Sequence, residues 1–279
     1  AFANCIVDSV TIRGNSAGTE ILEAAFYGCT MKTLTFGDFP STFKSTSFAK
    51  CQNIGTLNFG KIEAIEEFAF QEDLITTDIK LTFPATITSI GEGAFKHCSA
   101  ITEVTFEPNS QITTIANSLF YECTKLTKVL NLPNTITSIG EDRKQSDPPT
   151  LDPVGYSFYN CISLETFSWP SYITAIHPNS FMNCKNLQLI NLPNTLSTIG
   201  ASAFEGCTNL NTETTDTPMV LSYAISNVGD RVFYGCSSLS CDVKILAGSV
   251  SAGMFYGCTN IKTLFLDRTI DTIEEKAFY

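Results

Sequence analysis

The sequence predicts an α/β solenoid of about twelve coils of about 23 residues each, with parallel strands along a concave face and short helical turns on the opposite side. Three observations carry this expectation. A phenylalanine recurs in one phase along the whole chain. Between its appearances the apolar residues follow first a two-residue period and then a spacing of three. A unit this short cannot bury its own apolar face, so it must stack on copies of itself.

The repeat is read most directly from phenylalanine followed three residues later by cysteine, a pair that occurs ten times, from Phe2 and Cys5 through Phe95 and Cys98 to Phe255 and Cys258. Phe70 and Phe278 keep the same phase without the cysteine, so 12 of the 21 phenylalanines form one series. Alternation around Val104 and Phe106, Ile190 and Leu192, or Leu264 and Leu266 reads as a short half-buried strand. Pro84, Pro133, Pro170 and Pro193 then end the ladder, because proline has no backbone donor. Apolar pairs three apart, such as Ile87 with Ile90 and Ile173 with Ile176, turn inward again on the far side. Gly91, Gly140, Gly200 and Gly229 mark a bend. After it, segments such as 92–98 place Ala94 and Phe95 on one face with Cys98, four and three residues before it, which predicts a helical turn.

The run from Leu187 to Phe204 fits the pattern LxxhxLPxxhxxIGxxAFxxC, as do Leu126 to Gly140 with Pro133 and Ile87 to Cys98 with Gly91 and Ala94. On these residues the chain resembles the leucine-rich repeat of the BspA-like surface-protein family, and the resemblance covers essentially all of it as a single domain, 1–279. It implies a leucine-rich-repeat solenoid. It also implies a secreted or surface-displayed microbial protein that adheres to protein or glycan ligands, host matrix or cell surfaces among them. The alternative is a structural spacer or assembly repeat that displays other domains.

Composition sets limits on partners. Seventeen basic against 28 acidic side chains leave a net charge of -11, which argues against nucleic acid and against a polybasic anchor for acidic lipids. With 43% hydrophobic and 16% charged residues the chain is expected to fold. No run approaches the roughly 20 apolar residues of a membrane span, so direct membrane insertion is not expected. Because the chain opens at Phe2 and closes at Tyr279 within repeats, a segment of a longer protein is expected.

Three places depart from the repeat. Residues 141–155 insert a loop with three prolines and the aspartates Asp142, Asp147 and Asp152, whose even spacing lacks the alternating ligands of a calcium loop. Residues 211–218, with Glu213 and Asp216, insert a threonine-rich loop at the lip of the concave face. Asp73 stands where the series expects cysteine, and burying a carboxylate is costly, so it is expected to turn outward or cap a backbone donor.

No constellation points to catalysis, a metal or a cofactor. Ten of eleven cysteines share one coil position, where side chains run parallel; buried free thiols are expected, with oxidation of some neighbouring pairs as the alternative. Cys241 lies out of phase and is the expected accessible thiol. His97 and His177 fall in different coils and read as solvent-facing or hydrogen-bonded surface residues rather than general bases.

The strand rule, applied coil by coil, assigns the outward-facing residues. Thr33, Thr35, Thr56, Asn58, Asp78, Lys80, Glu103, Thr105, Lys128, Thr166, Ser168, Leu189, Asn191, Thr263 and Phe265 are the candidate ligand-binding face. The two inserted loops, through Asp147, Asp152, Glu213 and Asp216, are secondary candidates.

Overall fold

The computed structural model describes residues 2–16, 18–39, 41–72, 78–141, 154–188, 190, 192–212, 218–246 and 248–279. Asp73, Asp142, Asp147, Asp152, Leu189, Asn191, Glu213 and Asp216 lie outside them.

Each coil has three sides. The first carries parallel strands in sheets of three, four and three: Ser9–Ile12, Thr33–Phe36 and Thr56–Asn58; Ile79–Phe83, Ile101–Phe106, Lys128–Leu130 and Thr166–Phe167; Met219–Leu221, Asp242–Ile245 and Thr263–Leu266. The second side is a further parallel ladder that the sequence reading treats only as a return path. It begins with Thr19–Ile21, Ser41–Phe43, Ile62–Ile65 and Ser89–Ile90. It continues with Thr114–Ile115, Ser138–Ile139, Ala175–Ile176, Thr198–Ile199 and Asn227–Val228. Isoleucine dominates the inward positions of the second, where a pleated, half-buried surface accepts β-branched residues, while the first mixes these with leucine and phenylalanine. Ile115, Ile139, Ile176 and Ile199 stack in register and are fully buried.

Two expectations are corrected. The solenoid has about ten turns, not twelve. Phe2 precedes the first strand, and the turn through Leu187 and Ile190 has no first-side strand among the described residues. There the Asn211 amide donates to the carbonyl of Gln188 and the Ile190 amide to that of Asn211, both at 2.8 Å, so backbone pairing between the coils continues up to the start of the 211–218 insertion. Nor is there a helix among the described residues. The third side is built from tight turns, and the reason is backbone handedness. The residues two before and two after the ladder phenylalanines have positive φ, as at Gly93 (58°) and His97 (63°) around Phe95, or Asn179 (57°) and Asn183 (62°) around Phe181. An α-helix requires φ near −63° throughout, so two left-handed residues within five positions forbid it.

That turn is itself paired between coils. The amide of each ladder phenylalanine donates to the next coil's carbonyl one residue before its own phenylalanine, as Phe158 to Ser180 (2.8 Å) and Phe181 to Ala203 (2.8 Å). The amide two residues later repeats the pattern, as Asn160 to Met182 and Asn183 to Glu205. Backbone groups on all three sides are therefore satisfied by the neighbouring coil.

Inside, the phenylalanine series forms one column. Rings from Phe2 to Phe278 stack in eleven consecutive pairs with centroids 5.1–5.8 Å apart and planes within 1–18°. Beside it runs a column of thiols. The cysteines are free, and nine of them donate S–H to the carbonyl of the phenylalanine one coil back at 2.7–3.2 Å, as Cys184 to Phe158 and Cys207 to Phe181. Burial pushes the thiols of Cys123, Cys161, Cys184 and Cys207 up from their ordinary value, so they keep the proton that the bond needs. Cysteine is thus both a small apolar filler and a donor. Cys184→Ala is expected to cost about 1–3 kcal/mol and Cys184→Ser less, since the hydroxyl keeps a donor at the same carbonyl. Urea midpoints of the two variants check the order; an alanine variant as stable as the parent would remove the thiol's bonding role.

Two single-residue expectations also change. Cys241 is fully buried, its side chain turned into the core beside the strand Asp242–Ile245, so it is not an accessible thiol. His177 is buried, at 8% exposure, because its Cβ packs over Gly140, whose missing side chain makes the room.

Candidate functional site

The outward residues of the first side do form a registered surface. Ser9, Thr33 and Thr56 sit side by side, as do Thr35 and Asn58. In the central sheet Lys80, Glu103, Lys128 and Thr166 make one row across four coils. Lys80 pairs with Glu103 at 3.0 Å, and Lys125 reaches Asp78 at 2.8 Å across two coils. These ion pairs are exposed and contribute little stability. Their effect is to fix an alternating charge pattern on a rigid face. One row over, Thr105 meets Thr82 through their hydroxyls at 3.0 Å, and its Oγ1 lies 3.4 Å from the Leu81 carbonyl. Ser168 is half-buried beyond Thr166.

In the last sheet Thr263 pairs with Asp242 and Phe265 with Lys244. Phe265 is 50% exposed and is the large apolar point on this face. Leu264, read from the sequence as inward, is 37% exposed on the edge strand of this sheet. Sequence reasoning missed Thr82, Lys125, Asp242 and Lys244. Thr82 follows from the alternation already used, two residues on from Lys80, and Asp242 and Lys244 alternate with the inward Val243 and Ile245. Asn58 is partly committed to its own turn, where its Oδ1 accepts from the Gly60 amide at 3.0 Å.

The bases of both inserted loops are tied. Asn117 Oδ1 accepts from the amides of Glu141 and Gly155, both at 2.9 Å, so one side chain holds together the two ends of the 141–155 insertion. Asn211 Oδ1 accepts from Thr212 and Ser240, and its Nδ2 donates to Ser240 Oγ at 2.8 Å. Neither asparagine is signalled by the repeat. His97 Nδ1 is 3.2 Å from Glu122 Oε2 and its ring meets Tyr121 edge-on, an arrangement on the turn side and away from the face. Among the described residues, no group of three or more histidine, cysteine or carboxylate side chains is gathered to hold a metal ion. No helix among the described residues is long and apolar enough to cross a membrane.

The model of the BspA-type leucine-rich repeat region matches residues 1–82, 75–143 and 154–279, with six copies. The chain belongs to the BspA-type leucine-rich repeat family. Among solved structures, a leucine-rich repeat protein from Bacteroides ovatus is similar at 18% identity and a TM-score of 0.60, covering 94% of this chain and 67% of that one. The T. pallidum leucine-rich repeat protein is similar at 20% identity and a TM-score of 0.50, covering 75% and 77%. At these identities the likeness shows the fold. No curated protein shows significant sequence similarity to the chain. The BspA-type match accounts for the repeat itself, and the row Lys80, Glu103, Lys128 and Thr166 is a feature of this chain's own strands.

Proposed function

We propose that this BspA-type solenoid is a non-catalytic binding module, extracellular or displayed on a cell surface, that adheres to protein or glycan ligands through the outward face of its first side. The observation that carries the reading is the registered row Lys80, Glu103, Lys128 and Thr166 with the Thr82–Thr105 hydroxyl pair beside it. Lys80 and Glu103 are paired and the threonines are short, all on a registered parallel sheet. They present donors and acceptors at about 4.8 Å intervals without a pocket to enclose a small molecule. Phe265 supplies an apolar contact of the kind that anchors protein interfaces. Leu189, Asn191, Glu213 and Asp216, further candidates from the sequence, lie outside the described residues, and the proposal does not rest on them.

The test is an array of purified matrix proteins and immobilised glycans probed with the 279-residue chain and with Thr105→Arg/Thr166→Arg. A partner whose binding falls about tenfold or more in the double variant, a loss of about 1.4 kcal/mol, supports the face. Unchanged binding overturns it. A silent array combined with concentration-dependent self-association in light scattering favours the spacer or assembly reading.

A further inference from the structure

On the third side, the residues two before and one after each ladder phenylalanine form two columns, mostly half-buried. Around Phe233, Phe255 and Phe278 the first column reads Arg231, Gly253, Lys276 and the second Tyr234, Tyr256, Tyr279. The tyrosines stack at 4.5 and 5.0 Å, and the Arg231 guanidinium lies 4.0 Å over the outer face of Tyr234 while its Nε donates to Glu205 Oε2 at 2.9 Å. Gly253 interrupts the first column. Only one other coil has glycine at this position, Gly93, and there a Cβ would lie 2.5 Å from the Phe68 ring, so packing demands it. At Gly253 the nearest atoms are ordinary contacts, Arg231 Cγ at 3.4 Å and Tyr234 Cδ2 at 3.7 Å. The missing side chain leaves a hollow of about 350 Å³, bounded by Asp230 and Arg231 on one coil and Glu275 and Lys276 two coils on, with Tyr234 and Tyr256 along its side.

We propose that this hollow is a subsite for an uncharged hexose-type sugar unit. Its two acids and two bases are interleaved, so an ionic ligand of either sign meets a like charge, whereas a hydroxyl both donates and accepts and can use either group. The ring faces of Tyr234 and Tyr256 are already occupied, by Arg231 and by each other and Tyr279, which leaves edges and phenol groups for the ligand and excludes a flat aromatic one. The volume is at the lower end of ligand sites, about 300–1,000 Å³, and suits one or two sugar rings. This subsite is on a different side of the coil from the face proposed above and is tested separately from it.

The experiment is an amide ¹H–¹⁵N titration of the 279-residue chain with methyl glucoside, methyl galactoside and N-acetylglucosamine. Expected are saturable shifts at Tyr234, Gly253 and Tyr256 with at least one sugar. They should be lost in Gly253→Asn, which fills the hollow with a residue that tolerates the left-handed backbone, and retained in Gly235→Asn, where a Cβ meets nothing within 4 Å. Tyr256→Phe, which keeps the stack, is expected to weaken the shifts and carries the test if Gly253→Asn does not fold. Absence of saturable shifts at these amides, parent-like binding by both Gly253→Asn and Tyr256→Phe, or tighter binding of glucuronate or of an arginine peptide overturns the proposal.

Discussion

Phe181→Ala is expected to destabilise the chain by about 3–5 kcal/mol, the cost of emptying a large, fully buried aromatic site. Phe181 has no exposed surface and stacks on Phe158 at 5.2 Å and Phe204 at 5.3 Å. Phe167 and Trp169 close around it at 5.0 and 5.5 Å. Its neighbours above and below are themselves fixed by the column, so the cavity has little freedom to collapse. Urea unfolding followed by far-ultraviolet circular dichroism measures the loss. A change below about 1 kcal/mol, typical of a surface position, would contradict the core assignment.

The second large effect comes from a residue with no side chain at all. Gly200 does not have a positive φ; its constraint is steric, because a Cβ there would lie 2.6 Å from the carbonyl carbon of His177 and closer still to the nitrogen of Pro178. Gly91 and Gly229 make the same approach to the preceding coil, at Glu67 and Ala201. Gly200→Val must push two backbones apart, breaking the bond from the Gly200 amide to the Ile176 carbonyl at 2.7 Å. The expected cost is about 3 kcal/mol or more, at the upper end of overpacking. Gly235→Ala is the control: no atom lies within 4 Å of its Cβ, so only the left-handed backbone, φ 73°, counts against it, about 1–2 kcal/mol. Equal losses in the two variants would show that coil approach is not what fixes Gly200.

How far the fold can be read from the chain follows from these residues. The phenylalanine series is legible because one large apolar residue in constant phase has a single consistent explanation, a shared interior. Outward residues such as Thr105 and Lys128 are legible because strand alternation leaves no other face for them. The helical turn is misread because Ala94, Phe95 and Cys98 at i, i+1 and i+4 satisfy a helix and a double turn alike. The signal that separates the two is present: glycine or asparagine recurs two before or two after the phenylalanine, at Asn4, Gly28, Gly93, Asn160, Asn179, Asn183, Gly206, Gly235, Gly253 and Gly257, as left-handed backbone demands. The second ladder escapes because two-residue strands such as Thr198–Ile199 are too short to show a period. The pairing of Gln188 and Ile190 with Asn211 joins backbone groups of two coils, which no local pattern carries. The sugar-sized hollow is legible only once the columns are aligned in space, since Gly253 alone looks like one more turn glycine.

The backbone pairing on the third side has an electrostatic consequence. In each coil the peptide units that end at the ladder phenylalanine and two residues after it point their N–H toward the following coil and their C=O toward the preceding one, as Phe181 to Ala203 and Asn183 to Glu205. Amides in that arrangement run head to tail, so their dipoles add along the stack as they do along an α-helix, instead of cancelling as they do between strands. The third side therefore carries polar columns without a helix: along them the N–H ends face later coils and the C=O ends face earlier ones, each added turn extends them, and the amides at the bends, as Gly200 to Ile176 and Gly229 to Ile199, point the other way.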